Sequence, residues 1–235
     1  MKKIFLLLYI AVFTSTYSQT TAFNDLLQKH VDKKGNVDYK ALKKEEAKLN
    51  LFLTSLQKAN TTKFDSENAE KAFWINAYNA YTIKIILSNY PTTSIMNIKR
   101  NDKTAWKISF AKVGSKTYTL DYIEHEILRK KFKDPRIHVG VNCASISCPK
   151  LANIAFTADN IENELERLMK EFVNDSTKNK ISKSKIEISE IFNWFKGDFT
   201  TEGTIIEYLN KYSKTEINKK AKIKYLTYDW NLNGK

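Results

Sequence analysis

Four side chains that support nucleophilic or metal chemistry lie within 24 positions of one another: His125, His138, Cys143 and Cys148. The chain of 235 residues contains only three histidines and two cysteines, so this short stretch holds most of its scarce reactive groups. Thiol-dependent hydrolysis or acyl transfer requires a thiolate, a base that generates it and a group that orients the base. The sequence therefore predicts Cys143 as the nucleophile, with a histidine as the base.

The choice between the two histidines depends on local structure. The alternation of Ile137–Asn142 is typical of a strand, and strand geometry would place His138 and Cys143 on opposite faces. His125 comes from a different element and has no such constraint. We therefore prefer His125 as the base and keep His138 as the second candidate.

Other polar residues are predicted to support this chemistry. Glu124 is expected to orient the imidazole, and Asn142 and Ser145 are expected beside the nucleophile. Backbone N–H groups after Cys143, together with Ser145, would stabilise the oxyanion.

Asn76 and Asn79 interrupt an apolar segment and lie three residues apart, on one side of a helix. A buried amide must find hydrogen-bond partners. Two interpretations remain open: the amides brace the backbone of adjoining loops, or they orient a catalytic histidine and line the pocket.

Residues 1–19 are predicted to form a secretory signal peptide. Lys2 and Lys3 precede about ten apolar residues, and a small polar stretch follows them. The apolar run is shorter than the roughly 20 residues that span a bilayer. We expect a secreted or periplasmic protein with no transmembrane anchor after signal removal, and a single globular domain over 20–235.

The formal net charge is +13, which would suit a nucleic-acid-binding protein. However, arginine occurs only at Arg100, Arg129, Arg136 and Arg167. Recognition of base edges and phosphates favours the planar fork of arginine over lysine. We therefore expect a solvated lysine surface and no nucleic-acid partner, with attraction to an anionic envelope polymer as the alternative.

Two structural explanations of the cysteines compete with catalysis. In an oxidising envelope, Cys143 and Cys148 could form a small-loop disulfide. Zinc accepts all four ligand types of the cluster. The spacings of the four residues match no tight ligand pair, so we predict no metal and no other cofactor.

The hydrophobic pattern predicts an α+β fold, because helices and strands alternate without regular βαβ units. A helix over 69–90 is apolar around most of its circumference, which is typical of a central buried helix. Gly114-Ser115 is typical of a tight hairpin turn. The expected architecture is this central helix with a small mixed or antiparallel sheet.

Several segments resemble the bacterial family of unknown function DUF547: Val37–Tyr39, Phe73–Ala80, Ile123–Arg129, Asp134–His138, Asn142–Pro149 and Ile191–Trp194. The resemblance covers roughly residues 35–200. It implies no established activity. It does imply a remote papain- or transglutaminase-type fold, and at matching positions it points to Glu124, His125, His138 and Cys143. Papain-like peptidases place the cysteine before the histidine, and no histidine follows Cys143, so such a fold would be permuted.

The leading hypothesis is an exported thiol-dependent hydrolase or acyl transferase that acts on an amide or ester. Location alone suggests envelope substrates: peptides, peptidoglycan stems or lipid-derived acyl groups. The alternative is a non-catalytic envelope binding module in which a Cys143–Cys148 disulfide fixes a recognition loop.

Overall fold

A computed structural model of the chain describes residues 20–234, so the expected signal peptide lies outside the described residues. The central element is helix α4, Glu67–Ser88, which begins where the Ser66 hydroxyl accepts a hydrogen bond from the Ala69 N–H. Most of its residues are buried, including Asn76 and Asn79. The predicted central helix is therefore confirmed, and its polar side chains lie inside the protein.

Helices α3 (Glu46–Lys58) and α7 (Ile161–Asn174) pack against α4. Helix α2 (Tyr39–Lys44) packs against α3, and in α1 (residues 20–30) the Phe23 ring stacks on Phe52 of α3. Helix α7 buries Leu165, Leu168 and Phe172 on one side, as its 3.6-residue periodicity predicts. The buried apolar side chains of all these helices belong to one cluster that extends from Phe23 to Leu232.

The strands are short and form three small sheets. The predicted α+β fold is therefore confirmed. Two antiparallel pairs are β1 (Lys99–Arg100) with β2 (Lys103–Thr104), and β3 (Ala111–Val113) with β4 (Lys116–Tyr118). In the third sheet β6 (Lys185–Ile188) is antiparallel to β5 (Lys180–Ile181) and parallel to β7 (Lys222–Tyr225). Gly114 forms the β3–β4 turn with a positive φ of 57°.

His125 and His138 lie in two helical stretches that a turn at residues 133–136 connects. Tyr122–Arg129 forms a π-helix that continues into α5, Lys130–Phe132. The strand predicted over Ile137–Asn142 is wrong: Ile137–Gly140 forms a short helix, α6. Its backbone bonds are local, from His138 N to the Pro135 carbonyl and from Val141 N to the Ile137 carbonyl. The whole segment is buried, so the alternating pattern does not mark a solvent-facing side.

Three short helices complete the site region: α8 (Ile191–Trp194), α9 (Lys196–Phe199) and α10 (Ile205–Asn210). The chain then returns along the loop that follows α6. Ile146 N donates to the Asn231 carbonyl at 2.8 Å, and Ser147 N donates to the Asp229 carbonyl at 3.1 Å. Within the described part of the chain, none of the helices combines the length and apolar character needed to cross a bilayer.

Candidate active site

A pocket of about 190 Å³ brings together the reactive residues that the sequence groups. Its lining includes Glu124, His125, His138, Cys143 and Cys148. The π-helix supplies the first two, α6 supplies His138, and the loop after α6 supplies both cysteines. The structure therefore places the two histidines and the two cysteines in one cavity, together with Glu124, the residue expected to orient an imidazole.

Buried amides hold the cysteine loop in place. The Asn79 side chain donates to the Gly140 carbonyl at 2.8 Å and accepts from Asn142 N at 2.9 Å. The Asn142 side chain accepts from Ala144 N at 2.9 Å and donates to the Pro149 carbonyl at 2.8 Å. Ala144 has a positive φ of 58°, a conformation that costs a non-glycine residue energy and needs such support.

Donor groups surround the sulfur of Cys143, which is half-buried. Its Sγ lies 3.1 Å from Ser145 Oγ and 3.2 Å from the Tyr228 hydroxyl. A hydrogen bond from the Cys148 thiol, with those from Ser145 and Tyr228, outweighs burial and lowers the pKa of Cys143 to about 7. A larger fraction of Cys143 than of an ordinary cysteine would therefore be thiolate near neutral pH.

Cys148 behaves in the opposite way, although it lies beside Cys143. Burial, and the hydrogen bond to the Cys143 sulfur, raise the pKa of Cys148 well above its ordinary value. The Cys143 N–H donates to Cys148 Sγ at 3.1 Å. Both residues are free thiols in the structure, so it does not contain the disulfide of the alternative interpretation.

His138 is held by a carboxylate that sequence reasoning missed. Its Nε2 lies 2.7 Å from Oδ2 of Asp198 in α9, and its ring stacks on Phe195 with the centroids 4.1 Å apart. Arg129 forms a forked ion pair with Asp198, at 2.6 and 3.0 Å. Although burial opposes it, these two partners hold the pKa of Asp198 well below its usual range.

The Asp198 contact determines the tautomer of His138. An ionised carboxylate only accepts hydrogen bonds, so Nε2 carries a proton and Nδ1 is the basic nitrogen of the neutral ring. His125 has the reverse arrangement, because its Nδ1 lies 3.1 Å from Arg129 Nη1 and a guanidinium only donates. Neutral His125 therefore carries its proton on Nε2.

The structure decides between the two open interpretations of Asn76, and it differs from the role expected of Glu124. Both amide atoms of Asn76 bond the backbone of Phe156, so Asn76 braces a loop and does not hold an imidazole. Glu124 is buried beside Tyr78, where its charge adds to burial in raising the pKa of that phenol well above 10. The carboxylate that orients an imidazole is Asp198.

The backbone N–H groups after Cys143, which we expected to stabilise an oxyanion, already have hydrogen-bond partners. Ala144 N is bonded to Asn142, and the backbone N–H of Ser145 is directed at the Cys143 sulfur. Among the residues that the structure describes, the hydrogen bonds to Cys143 Sγ come from these hydroxyl, thiol and amide groups and not from an imidazole. The arrangement stabilises a thiolate without a histidine in contact with it.

The zinc alternative depends on how closely the four ligand types approach one another. Within residues 20–234, no group of three or more histidine, cysteine, aspartate or glutamate side chains is arranged to hold a metal ion.

Residues 62–173 match the model of a family described as a protein of unknown function, DUF547. The chain resembles the DUF547 family. The DUF547 match includes His125, His138, Cys143 and Cys148, and it ends before Asp198 and Tyr228. It is narrower than the stretch of roughly 35–200 over which the sequence segments resemble the family. No curated protein and no solved structure shows a significant match to the chain.

Proposed function

We propose that the protein is an exported thiol-dependent hydrolase or acyl transferase in which Cys143 attacks the carbonyl carbon of an amide or ester. One observation carries the proposal: the Cys143 sulfur borders a pocket while several donors stabilise its thiolate form. A structural thiol buried in an apolar core has a raised pKa and is inert. Cys148 fits that description, whereas Cys143 does not.

In the acylation step, the thiolate of Cys143 forms a bond to the carbonyl carbon, and the π electrons of the C=O bond move to the oxygen. The tetrahedral intermediate collapses, the bond to the leaving amine or alcohol breaks, and a thioester remains. Water, or an acceptor nucleophile, then attacks the thioester and releases the Cys143 thiolate. This is the usual course of covalent catalysis by a thiol.

We assign the proton transfers to His138. Asp198 holds its Nε2–H. In the acylation step a proton on Nδ1 of the charged ring passes to the leaving amine or alcohol, and in the second step the neutral Nδ1 takes a proton from the water that attacks the thioester, which restores the charged ring. His125, which we preferred from the sequence, becomes the second candidate for this role. With its proton on Nε2, His125 is suited to donate a hydrogen bond to the oxyanion. The backbone N–H groups after Cys143 do not fill this role, because they already have hydrogen-bond partners.

The proposal is tested with p-nitrophenyl acetate, a small activated ester. We expect a rapid release of about one nitrophenolate per protein chain, and mass spectrometry of the quenched protein should place one acetyl group on Cys143. Cys143→Ala should abolish both signals. Cys148→Ala should still place an acetyl group on Cys143, but more slowly at neutral pH, because the nucleophile is intact while one hydrogen bond that lowers its pKa is lost.

The non-catalytic alternative predicts a different result. Titration of native protein would find no free thiols until reductant is added, and no acetyl group would appear on Cys143. Those two results together would overturn the hydrolase proposal in favour of a binding module with a Cys143–Cys148 disulfide.

A further inference from the structure

The pocket beside Cys143 has a charge opposite to that of the protein. The chain carries 39 lysines and arginines against 26 aspartates and glutamates. Among the described residues, the pocket lining nevertheless includes Asp121 and Glu124 and neither lysine nor arginine. A cleft lined by one sign of charge concentrates ligands of the opposite sign.

An aromatic cluster forms another part of the same lining. The Trp194 and Trp230 rings stack with their centroids 5.7 Å apart and an interplanar angle of 17°. Trp106 meets Trp230 edge-on at 5.7 Å, and Tyr228 lies 4.5 Å from Trp230. Trp194 is 45% exposed, although tryptophan is a residue that folding usually covers. Aromatic faces carry negative electrostatic potential and attract cations, tryptophan most strongly.

We propose that the pocket binds its substrate through a cationic amine. The ammonium group would lie against Trp194 and Trp230, with Asp121 and Glu124 balancing its charge. The substrate class is then an amide or ester of an amino acid or peptide with a free primary or methylated ammonium group. The reaction in this statement rests on the proposed function, whereas the selection of cations does not.

The carboxylates and the aromatic cluster of the lining favour an ammonium group over the other candidate envelope ligands. A fatty acyl chain would use the aromatic surface but would bury the partly exposed Asp121 against hydrocarbon, and burying a carboxylate in this way costs free energy. An anionic polymer segment would be repelled by both carboxylates and by the Cys143 thiolate. An ammonium group has favourable contacts with both features.

Two thiol reagents that differ in charge measure directly how strongly the pocket prefers a cation to an anion. The probes are the trimethylammonium and the sulfonate derivatives of ethyl methanethiosulfonate, which transfer the same type of disulfide-linked group to a thiolate. Each rate at Cys143 is divided by its rate with 2-mercaptoethanol, and peptide mapping locates the adduct. We expect the normalised rate to favour the cationic reagent by about tenfold or more. This preference would oppose the positive charge of the whole protein.

Variants identify the source of the preference. Asp121→Asn and Trp194→Ala should each lower the cation-to-anion ratio by about threefold, since each removes one local attraction. Both positions are at least partly exposed, so the variants should fold normally. Asp159→Asn is the matched control: Asp159 is an exposed carboxylate outside the pocket lining, and its loss should leave the ratio unchanged.

The outcomes separate this inference from the proposed function. If neither reagent nor iodoacetamide modifies Cys143, the proposed nucleophile is wrong. If Cys143 reacts but the normalised rates are equal, or favour the sulfonate, the cationic-substrate inference is overturned and the thiol chemistry stands. If the cation-to-anion ratio of Asp121→Asn and of Trp194→Ala equals that of the native protein, the preference does not come from this pocket, and the inference is again overturned.

Discussion

Nε2 of His138 lies 2.7 Å from Oδ2 of Asp198, and this contact makes Nδ1 the nitrogen that can accept a proton. The two residues are 60 positions apart in the chain. Arg129 holds the other oxygen of the same carboxylate, so the orientation of His138 depends on three helical segments. The hydrogen bonds thus favour His138 over His125 as the base, the reverse of the preference drawn from the sequence.

The first prediction concerns Asp198 as a positioning residue. Asp198→Asn keeps the size of the side chain but removes the charge that holds Nε2–H. We expect turnover of p-nitrophenyl acetate to fall by about 100-fold or more, the usual scale of lost acid–base catalysis. Alkylation of Cys143 by iodoacetamide should change little, because Asp198 makes no hydrogen bond to the sulfur. Equal losses in both assays would indicate a structural role instead.

The second prediction concerns the pH dependence of Cys143. The pKa of this thiol is lowered to about 7, and only the thiolate reacts, so the iodoacetamide rate should rise with pH to a plateau with its midpoint near that value. Tyr228→Phe removes one donor to the thiolate. Its midpoint should move up by about one pH unit, since a hydrogen bond to a charged group contributes about 1.5 kcal/mol. An unchanged midpoint would show that Tyr228 does not stabilise the thiolate.

The third prediction concerns the buried amides of α4. Asn79→Ala leaves the Gly140 carbonyl and the Asn142 N–H without their partner inside the protein. We expect the free energy of unfolding to fall by about 2–4 kcal/mol, measured by urea denaturation. Asn68→Ala, on the same helix but only partly buried, should cost less than about 0.5 kcal/mol. Similar values for the two variants would contradict the bracing role.

The fourth prediction concerns acid stability. Lys71 is buried, and its Nζ lies 3.1 Å from Asp134 and 2.9 Å from Glu162. Burial raises the pKa of Asp134, but Arg136 and Lys71 lower it by a larger amount. The net shift of this pKa is therefore downward. A lowered folded-state pKa stabilises the protein above the unfolded value of about 4, and this contribution is lost as pH falls through the folded value.

Denaturation midpoints measured across that acidic range should therefore decrease as the pH is lowered in the native protein. Asp134→Asn should be less stable than the native protein at neutral pH. The difference between the two should shrink as the solution is acidified, because the native carboxylate is then protonated as well. A difference that stays constant with pH would show that this carboxylate does not contribute through its charge.

The sequence was sufficient to predict the central helix and the grouping of the reactive residues. These rest on strong signals: long helical periodicity, and the scarcity of histidine and cysteine. The strand predicted over Ile137–Asn142 failed because a short segment buried on all sides has no solvent-facing pattern that separates strand from helix.

Asp198 and Tyr228 could not be predicted for a different reason. The chain has 26 acidic residues and 12 tyrosines, so neither type stands out at these positions. Asp198 lies on a helix of four residues, and its contact with His138 is created by tertiary packing alone. Asn76 was predictable as a buried amide, but the partner that it bonds was not.

The hydrogen bond between Tyr228 and Cys143 joins an earlier part of the chain to one that is synthesised much later. The two residues are 85 positions apart, so a ribosome must add all of the intervening chain before the phenol can reach the sulfur. Asp229 and Asn231, which pair with the cysteine loop, follow later still. A nascent chain that already contains the cysteine therefore lacks one of the hydrogen-bond donors that lower the pKa of its thiol.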